Sequence, residues 1–392
     1  MTDVLIVGAG PAGSTAARVL AASGFAVHLI DRRPFPRDKV CGDGLIPDAL
    51  KGLRRAGLYE KAVKRGHLSN TLSVFSASGI RFDIPGEYLT LRRRELDDLL
   101  LRAAVAAGAT FSIAKVTNLR EEPEGVTAML SGSGDELYAR LAILATGADI
   151  SLAGKAGLPS RVRPSAVAVR CYVQSSMAIE QLIISFDRAI APGYAWIFPL
   201  HENEYNVGCG FFYRGGTRGK PNLRHTFEAF TRHFPLAAEL WERRVSATPL
   251  AGAPLRCGLD SDLAYRGGRI LAIGETIGAT YPFTGEGVGK AIETGELAAE
   301  QVETALETGD LAPLRAFPGR LRSRLAPRYH GYHLAENWLA KAWLGDFVAS
   351  RVSRSPVLQR TVADIVTETA NPQNLFSWKR LLPELIPWRS RR

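Results

Sequence analysis

Val4-Leu5-Ile6-Val7-Gly8-Ala9-Gly10-Pro11-Ala12-Gly13, followed by a helix-prone run at 14–23, decides the fold. The first four residues are apolar and largely β-branched, and glycine stops them. That reads as a short strand buried on both faces of a parallel sheet. Gly8, Gly10 and Gly13 form G-x-G-x-x-G between that strand and the helix. In this context Gly8 permits the tight turn, Gly10 lets the backbone approach a pyrophosphate, and Gly13 lets the helix pack close to the strand. Pro11 and Ala12 stand in the first helical turn, whose free N–H groups and positive dipole end attract phosphate. A second strand at 26–30 ends at Asp31, followed by Arg32. A carboxylate there suits a ribose hydroxyl and disfavours a 2′-phosphate.

The rest of the composition agrees with an enzyme-sized globular chain. Its 392 residues are 46% hydrophobic and 22% charged, which argues against disorder and against a fibrous design. The four cysteines, Cys41, Cys171, Cys209 and Cys257, lack C-x-x-C spacing. Zinc ribbons and disulfide frameworks are therefore disfavoured, no metal site is expected, and a reducing, cytoplasmic compartment is. Residues 1–3 carry no basic leader, and no apolar run approaches the ~20 residues that span a bilayer. The net charge of +10 has no nucleic-acid-binding motif beside it, so nucleic acid is not expected as a partner.

A second glycine-rich turn lies far downstream. The strand-like Ile270-Leu271-Ala272-Ile273 runs into Gly274-Glu275, then Pro282-Phe283-Thr284-Gly285-Glu286-Gly287-Val288, and then a helix from about Lys290. It supplies another set of backbone donors at a helix start, suited to a reduced flavin's negative charge. Glu275 can accept from a sugar-like hydroxyl. The pairing of G-x-G-x-x-G with this late segment resembles flavoproteins of the p-hydroxybenzoate hydroxylase-like group, whose FAD domain is of the glutathione reductase type. The resemblance implies FAD as cofactor, with Gly274, Gly285, Gly287 and Val288 around the flavin. Glu275 stands where the group usually has Asp, at the ribityl chain. Arg92-Arg93-Arg94-Glu95-Leu96-Asp97 resembles the R-x-x-L-D element, with Arg93 the best-aligned arginine and Arg92 and Arg94 competing. Residues 141–149, through Ala145-Thr146-Gly147, resemble the strand that closes the FAD domain. The same resemblance puts Val116 and Gly147 among the cofactor contacts.

Two elements narrow it to the geranylgeranyl reductase family: Lys39-Val40-Cys41-Gly42-Asp43-Gly44-Leu45, similar to K-x-C-G-x-G-L at the flavin, and Tyr194-Ala195-Trp196-Ile197-Phe198-Pro199, similar to Y-x-W-x-F-P. Tyr194, Trp196 and Phe198 alternate onto one strand face. With Pro282 they are expected to wall a hydrophobic substrate pocket. Cys41 and Trp196 are the catalytic candidates, and Cys41 with Gly42 also abuts the cofactor. The implied activity is reduction of carbon–carbon double bonds in a prenyl or similar hydrophobic chain by hydride from reduced flavin. The electron donor is left open between NAD(P)H and a protein, because no second G-x-G-x-x-G stands between a strand and a helix. Alternatives on the same fold are a monooxygenase acting on an aromatic, carrier-bound or protein substrate, a halogenase, which Tyr194 disfavours, and a non-catalytic FAD-binding maturation partner.

The expected architecture is α/β. A Rossmann-type FAD-binding domain (1–75, 90–160 and 255–310) interleaves with an antiparallel-sheet substrate domain (76–89 and 161–254). Strands are expected at 166–173, 181–186, 194–198 and 204–211, and a helix at 223–233. Residues 311–392 read as a helical region rich in arginine and tryptophan (Trp338, Trp343, Trp378 and Trp388). Its basic-aromatic end admits a peripheral membrane contact. The preferred reading is a helical cap that packs its tryptophans at the domain junction.

Overall fold

The computed structural model describes residues 1–376 apart from 133, 160–162, 192, 214–221 and 340. The opening strand, Thr2–Val7, pairs in parallel with Val27–Asp31 on one side and Glu136–Leu144 on the other. Val4 to Val7 are at most 7% exposed, and each such buried aliphatic side chain contributes about 1.5–3 kcal/mol. Thr110–Ile113 and Ile270–Ala272 extend the parallel set, and an antiparallel meander, Val116–Glu122 and Gly125–Leu130, completes seven strands.

The helices Pro11–Ala22 and Val288–Thr308 pack together against this sheet. Their contact depends on missing side chains. A Cβ on Gly295 would lie 2.5 Å from the Ala12 carbonyl oxygen; at the strand end, a Cβ on Gly13 would lie 1.9 Å from the Gly8 carbonyl oxygen, so glycine there lets the first helix approach its own strand.

The second sheet has nine strands. Ala166–Ser175, Glu204–Phe212, Tyr194–Pro199 and Leu182–Ser185 are successive antiparallel neighbours, and the helix Leu223–His233 covers their back. Two features differ from the sequence reading. The sheet is not wholly antiparallel, because Leu182–Ser185 pairs in parallel with His67–Phe75. His67–Phe75 and Gly44–Leu45, placed by sequence with the FAD domain, are strands of this second sheet. The boundary at 75/76 falls inside the hairpin formed with Arg81–Thr90. Alternation along one strand does not say which sheet it joins.

The long helix Ala312–Leu339 bridges the two cores. Leu314, Phe317, Leu321 and Leu325 pack with the first sheet, and Ala335 and Trp338 with the second. Ala342–Val352 and Pro356–Val366 then cover the aliphatic end of the second sheet. Trp338 is buried as a cap residue should be, but Trp343 is 63% exposed and does not pack at the junction. Trp378 and Trp388 lie outside the described residues.

Candidate flavin and substrate site

The two sheets and the C-terminal helices enclose a cavity of about 1310 Å³. This exceeds the roughly 300–1,000 Å³ of an ordinary small-molecule site, so it has room for a large cofactor and a second molecule. One end is built by the opening stretch. Gly8, Gly10, Pro11 and Ala12 line it, with Asp31, Arg32, Val116 and Gly147 around them. Gly8 has φ +107°, and a Cβ there would lie 2.3 Å from the Ala145 carbonyl oxygen. Gly10 is different. A Cβ on it would meet only Arg37, at 3.8 Å. The absence of a side chain at Gly10 therefore serves open cavity space and not internal packing. The helix starting at Pro11 has no side-chain cap, so its first-turn N–H groups remain for a ligand.

Asp31 is largely committed already. Its Oδ2 accepts from Ala9 N–H at 3.0 Å and its Oδ1 from Arg33 N–H at 3.1 Å. Arg37, which the sequence did not single out, stands between Asp31 (3.5 Å) and Asp97 (3.1 Å). Arg32 pairs with Asp149 at 2.9 Å on the rim. The residues fit FAD: an uncapped helix start, a glycine facing empty space and a carboxylate at the second strand end surround one cavity.

The middle of the cavity holds the cysteine loop and the late glycine turn. Of the three arginines, Arg92 pairs with Glu204, while Arg93 is buried and turned inward. Its guanidinium is held on Asp97 by bonds of 2.7 and 2.9 Å and faces Cys41. Burial pushes the Cys41 thiol up, and Arg93 only partly opposes it, so the sulfur carries its proton at neutral pH.

The backbone of the loop is tied to the aromatic strand. Trp196 Nε1–H donates to Asn206 Oδ1 at 2.9 Å, and Asn206 Nδ2–H₂ donates to the Cys41 carbonyl and to Asp43 Oδ2, both at 2.8 Å. Asp43, at φ 62°, also accepts from Tyr172 O–H at 2.8 Å and from Arg93 N–H at 3.0 Å. Burial raises its carboxyl to about 6 against those donors, so it is ionised above that pH and holds the loop. Asn206 and Tyr172 lie on other strands, and no sequence spacing marks them. Glu275 lines the cavity, accepts from Arg256 N–H at 3.2 Å and faces Lys39 at 3.8 Å.

Tyr194, Trp196 and Phe198 share the cavity face, with successive ring centroids 5.8 and 6.3 Å apart. They press on the glycine loops. A Cβ on Gly44 would lie 2.9 Å from the Phe198 ring and one on Gly285 2.9 Å from the Tyr194 hydroxyl. Gly285, Gly287 and Val288 line the middle, and the helix from Val288 again starts without a side-chain cap.

Three expected site residues are not in the wall. Gly13 and Gly274 lie behind it, where they allow close packing, a Cβ on Gly274 lying 2.9 Å from Ala12 Cβ. Pro282 is buried outside the cavity. Its neighbour Phe283 takes the wall position, at φ 70°, stacked on Phe186 at 5.4 Å. The left-handed turn at Phe283 reverses which side chain faces inward, which a one-dimensional reading does not show.

Beyond the aromatic wall the cavity continues as an arm between the second sheet and the C-terminal helices. Leu72, Ile84 and Leu182 line one side, and Val348, Val352 and Ile365 the other.

Residues 1–307 match the FAD binding domain family. The chain is 32% identical over 317 residues to menaquinone reductase of Mycobacterium tuberculosis, covering 77% of this chain and 76% of that one. It is 31% identical over 314 residues to digeranylgeranylglycerophospholipid reductase 1 of Methanopyrus kandleri, covering 76% and 79%. A solved structure from Thermoplasma acidophilum, described as geranylgeranyl bacteriochlorophyll reductase-like, superposes with a TM-score of 0.77 at 21% identity, covering 98% of this chain and 95% of that one. A cavity built from both glycine turns, the cysteine loop and the aromatic strand, in a chain with these relatives, makes this protein an FAD-dependent oxidoreductase of the geranylgeranyl reductase family.

Proposed function

We propose that the protein saturates carbon–carbon double bonds of a long isoprenoid-type substrate. One observation carries this reading: the cavity passes from the flavin loops, through the aromatic wall, into an arm lined by aliphatic side chains. Burying a chain there gains about 0.8 kcal/mol per methylene, and Leu72, Ile84, Leu182, Val348, Val352 and Ile365 present only aliphatic surface to it.

With FAD bound, Gly10 and the helix start would hold the pyrophosphate, Asp31 the ribose and Glu275 the ribityl chain. The cofactor supplies hydride once a nicotinamide or a protein donor has reduced it. The chain's own residues place the double bond and keep water away. Trp196 is held rigid through Asn206, and its face favours the positive charge that grows on an alkene carbon during proton-coupled hydride addition. Cys41, uncharged, walls the same space and orients the substrate.

The test is anaerobic mixing of the reduced holoenzyme with a polyprenol and with its fully saturated analogue. Flavin absorbance should return only with the polyprenol, and the product should gain two hydrogens per double bond. No reoxidation by any prenyl alkene, or a product carrying added oxygen, overturns the reading. In Cys41→Ala the FAD content should be unchanged and this step slowed at least ten-fold. An unchanged rate would remove Cys41 from the site.

The substrate enters from a membrane surface. Among the described residues no helix is long and apolar enough to cross a membrane, but the arm reaches the exposed Ala342. Beside it stand exposed Lys341 and Trp343, with Val357, 68% exposed, on the next helix. An aromatic and basic rim of this kind suits the interface of an anionic bilayer. In flotation on vesicles containing anionic lipid, the full chain should float and Trp343→Glu should stay largely in the soluble fraction. Equal flotation would sink this role for the rim.

A further inference from the structure

The first turn of the helix Val288–Thr308 carries an ionic cluster that cofactor binding does not use. Lys290 is 1% exposed. Its ammonium lies 2.8 Å from Asp48 Oδ2, 2.5 Å from Glu293 Oε2 and 2.9 Å from Glu368 Oε1. Asp48 comes from the helix Pro47–Arg55, and Glu368 from the turn after Pro356–Val366. Asp48 reaches this place only because residue 289 is glycine, where a Cβ would lie 1.3 Å from Asp48 Oδ1. Arg328, from the helix Ala312–Leu339, adds a second cation 2.8 Å from Glu368 Oε2, and Tyr281 O–H donates to Glu368 at 2.7 Å.

On the cavity side Glu286, in the middle of Gly285-Glu286-Gly287, feels the charges of Asp48, Glu368 and Lys290. Glu286 lines the cavity, yet its Oε1 is buried without a hydrogen-bond partner, and Asp48 makes no contact there beyond its ion pair with Lys290. On the solvent side Glu293, 14% exposed, meets the exposed Arg324 at 3.2 Å.

The charges do not balance when every carboxyl is ionised. Asp48, Glu286, Glu293 and Glu368 face three cations, Lys290, Arg324 and Arg328, with neutral Tyr329 and Tyr332 packed beside them. Uncompensated buried negative charge is costly, so the cluster retains protons. Their place follows from the neighbours. Glu368 is buried, but Lys290, Tyr281 and Arg328 hold it below the usual carboxylate range. Burial, then the charges of Asp48 and Glu368, push Glu286 well above it. Burial raises Asp48 to about 7 in spite of Lys290.

We propose that this cluster is the proton-uptake path of the reductase, and that the Glu286 carboxyl hands the proton to the substrate. The proposal rests on the double-bond reduction argued above. Saturating one double bond breaks its π bond and forms two C–H bonds, one with hydride from the reduced flavin and one with a proton. The proton leaves the Glu286 carboxyl, which becomes a carboxylate. Asp48 restores it and takes a replacement proton from solvent at the Glu293 end of the cluster, while Lys290, held by three carboxylates, keeps its charge throughout. The net uptake is one proton from solvent per double bond.

The experiment uses the FAD-loaded full chain. Its infrared spectrum at pH 7 should show a protonated-carboxyl stretch that shifts in D₂O and loses the larger part of its intensity in Glu286→Gln, the remainder belonging to Asp48. Glu286 makes no hydrogen bond that holds the cluster together, so this variant should keep its FAD and its melting temperature. Its anaerobic single turnover with a polyprenol should fall at least 100-fold, and Glu286→Asp should recover at least a tenth of the wild-type rate. In the wild type the steady-state rate should fall as pH rises past about 7, where Asp48 loses its proton, and Asp48→Asn should lose that limb. A Glu286→Gln rate within two-fold of wild type, or a carboxyl band undiminished by the substitution, overturns the relay alone. A wild type that reduces no alkene overturns the functional reading, and the transfer step with it.

Discussion

A Gly10→Ala variant should fold like the wild type and lose FAD. The added Cβ meets no atom closer than Arg37 at 3.8 Å, and residue 10 has φ −75°, which alanine adopts freely. The protein therefore has no internal reason for glycine here. The methyl group projects into the cavity at the uncapped helix start, the position proposed for the pyrophosphate. Displacing the phosphates from two first-turn N–H groups forfeits two charge-assisted hydrogen bonds, each of about 1.5–3 kcal/mol. The affinity for FAD should fall at least 100-fold by fluorescence titration, with far-UV circular dichroism of the apoprotein unchanged. Gly13→Ala is the control for a different cause. Its Cβ would lie 1.9 Å from the Gly8 carbonyl oxygen, so that variant should lose thermal stability even without cofactor. If Gly10→Ala bound FAD normally, the phosphate assignment at this turn would be wrong.

The second large effect is expected at the other end of the cavity. Gly345 lines the aliphatic arm, and a Cβ on it would have only Leu339 within reach, at 3.7 Å. It sits inside the helix Ala342–Val352, where replacing glycine relieves up to about 1 kcal/mol of helix cost. Gly345→Phe should therefore leave the fold intact and fill the arm. Excluding one five-carbon unit at about 0.8 kcal/mol per methylene removes about 4 kcal/mol of binding. That predicts a drop of two to three orders of magnitude in kcat/KM for a long polyprenol. A single-unit prenyl substrate should be affected less than ten-fold, and the flavin spectrum should not change. An equal loss for short and long substrates would show that the chain does not occupy this arm.

These two glycines separate what is legible in one dimension from what is not. The cofactor half was legible because its parts are consecutive. A strand, a turn without side chains and a helix start must follow one another within a few residues to bind a pyrophosphate, and Val4 to Gly13 do so. The late turn and the Cys41 loop were legible for the same reason, although the structure placed Gly13 and Gly274 behind the wall. The alternation of Tyr194, Trp196 and Phe198 onto one face also held, because a strand has period two in any sheet.

Contacts between distant segments could not be read this way. Asn206 joins Trp196 to Cys41 across strands more than a hundred residues apart from the loop, and its own neighbours do not announce it. Pro282 left the wall and Phe283 took its place because one left-handed residue turned the chain. The strand His67–Phe75 joined the second sheet because its partner, Leu182–Ser185, was supplied from far along the chain. Lys290 and Glu286 looked like ordinary members of a helix start. Only the arrival of Asp48 and Glu368 buried them in one cluster. Local sequence determined backbone shape and the binding turns, since those depend on neighbouring residues. Tertiary structure decided burial and hence charge state, since a carboxyl's proton affinity depends on which groups, from any part of the chain, replace its water.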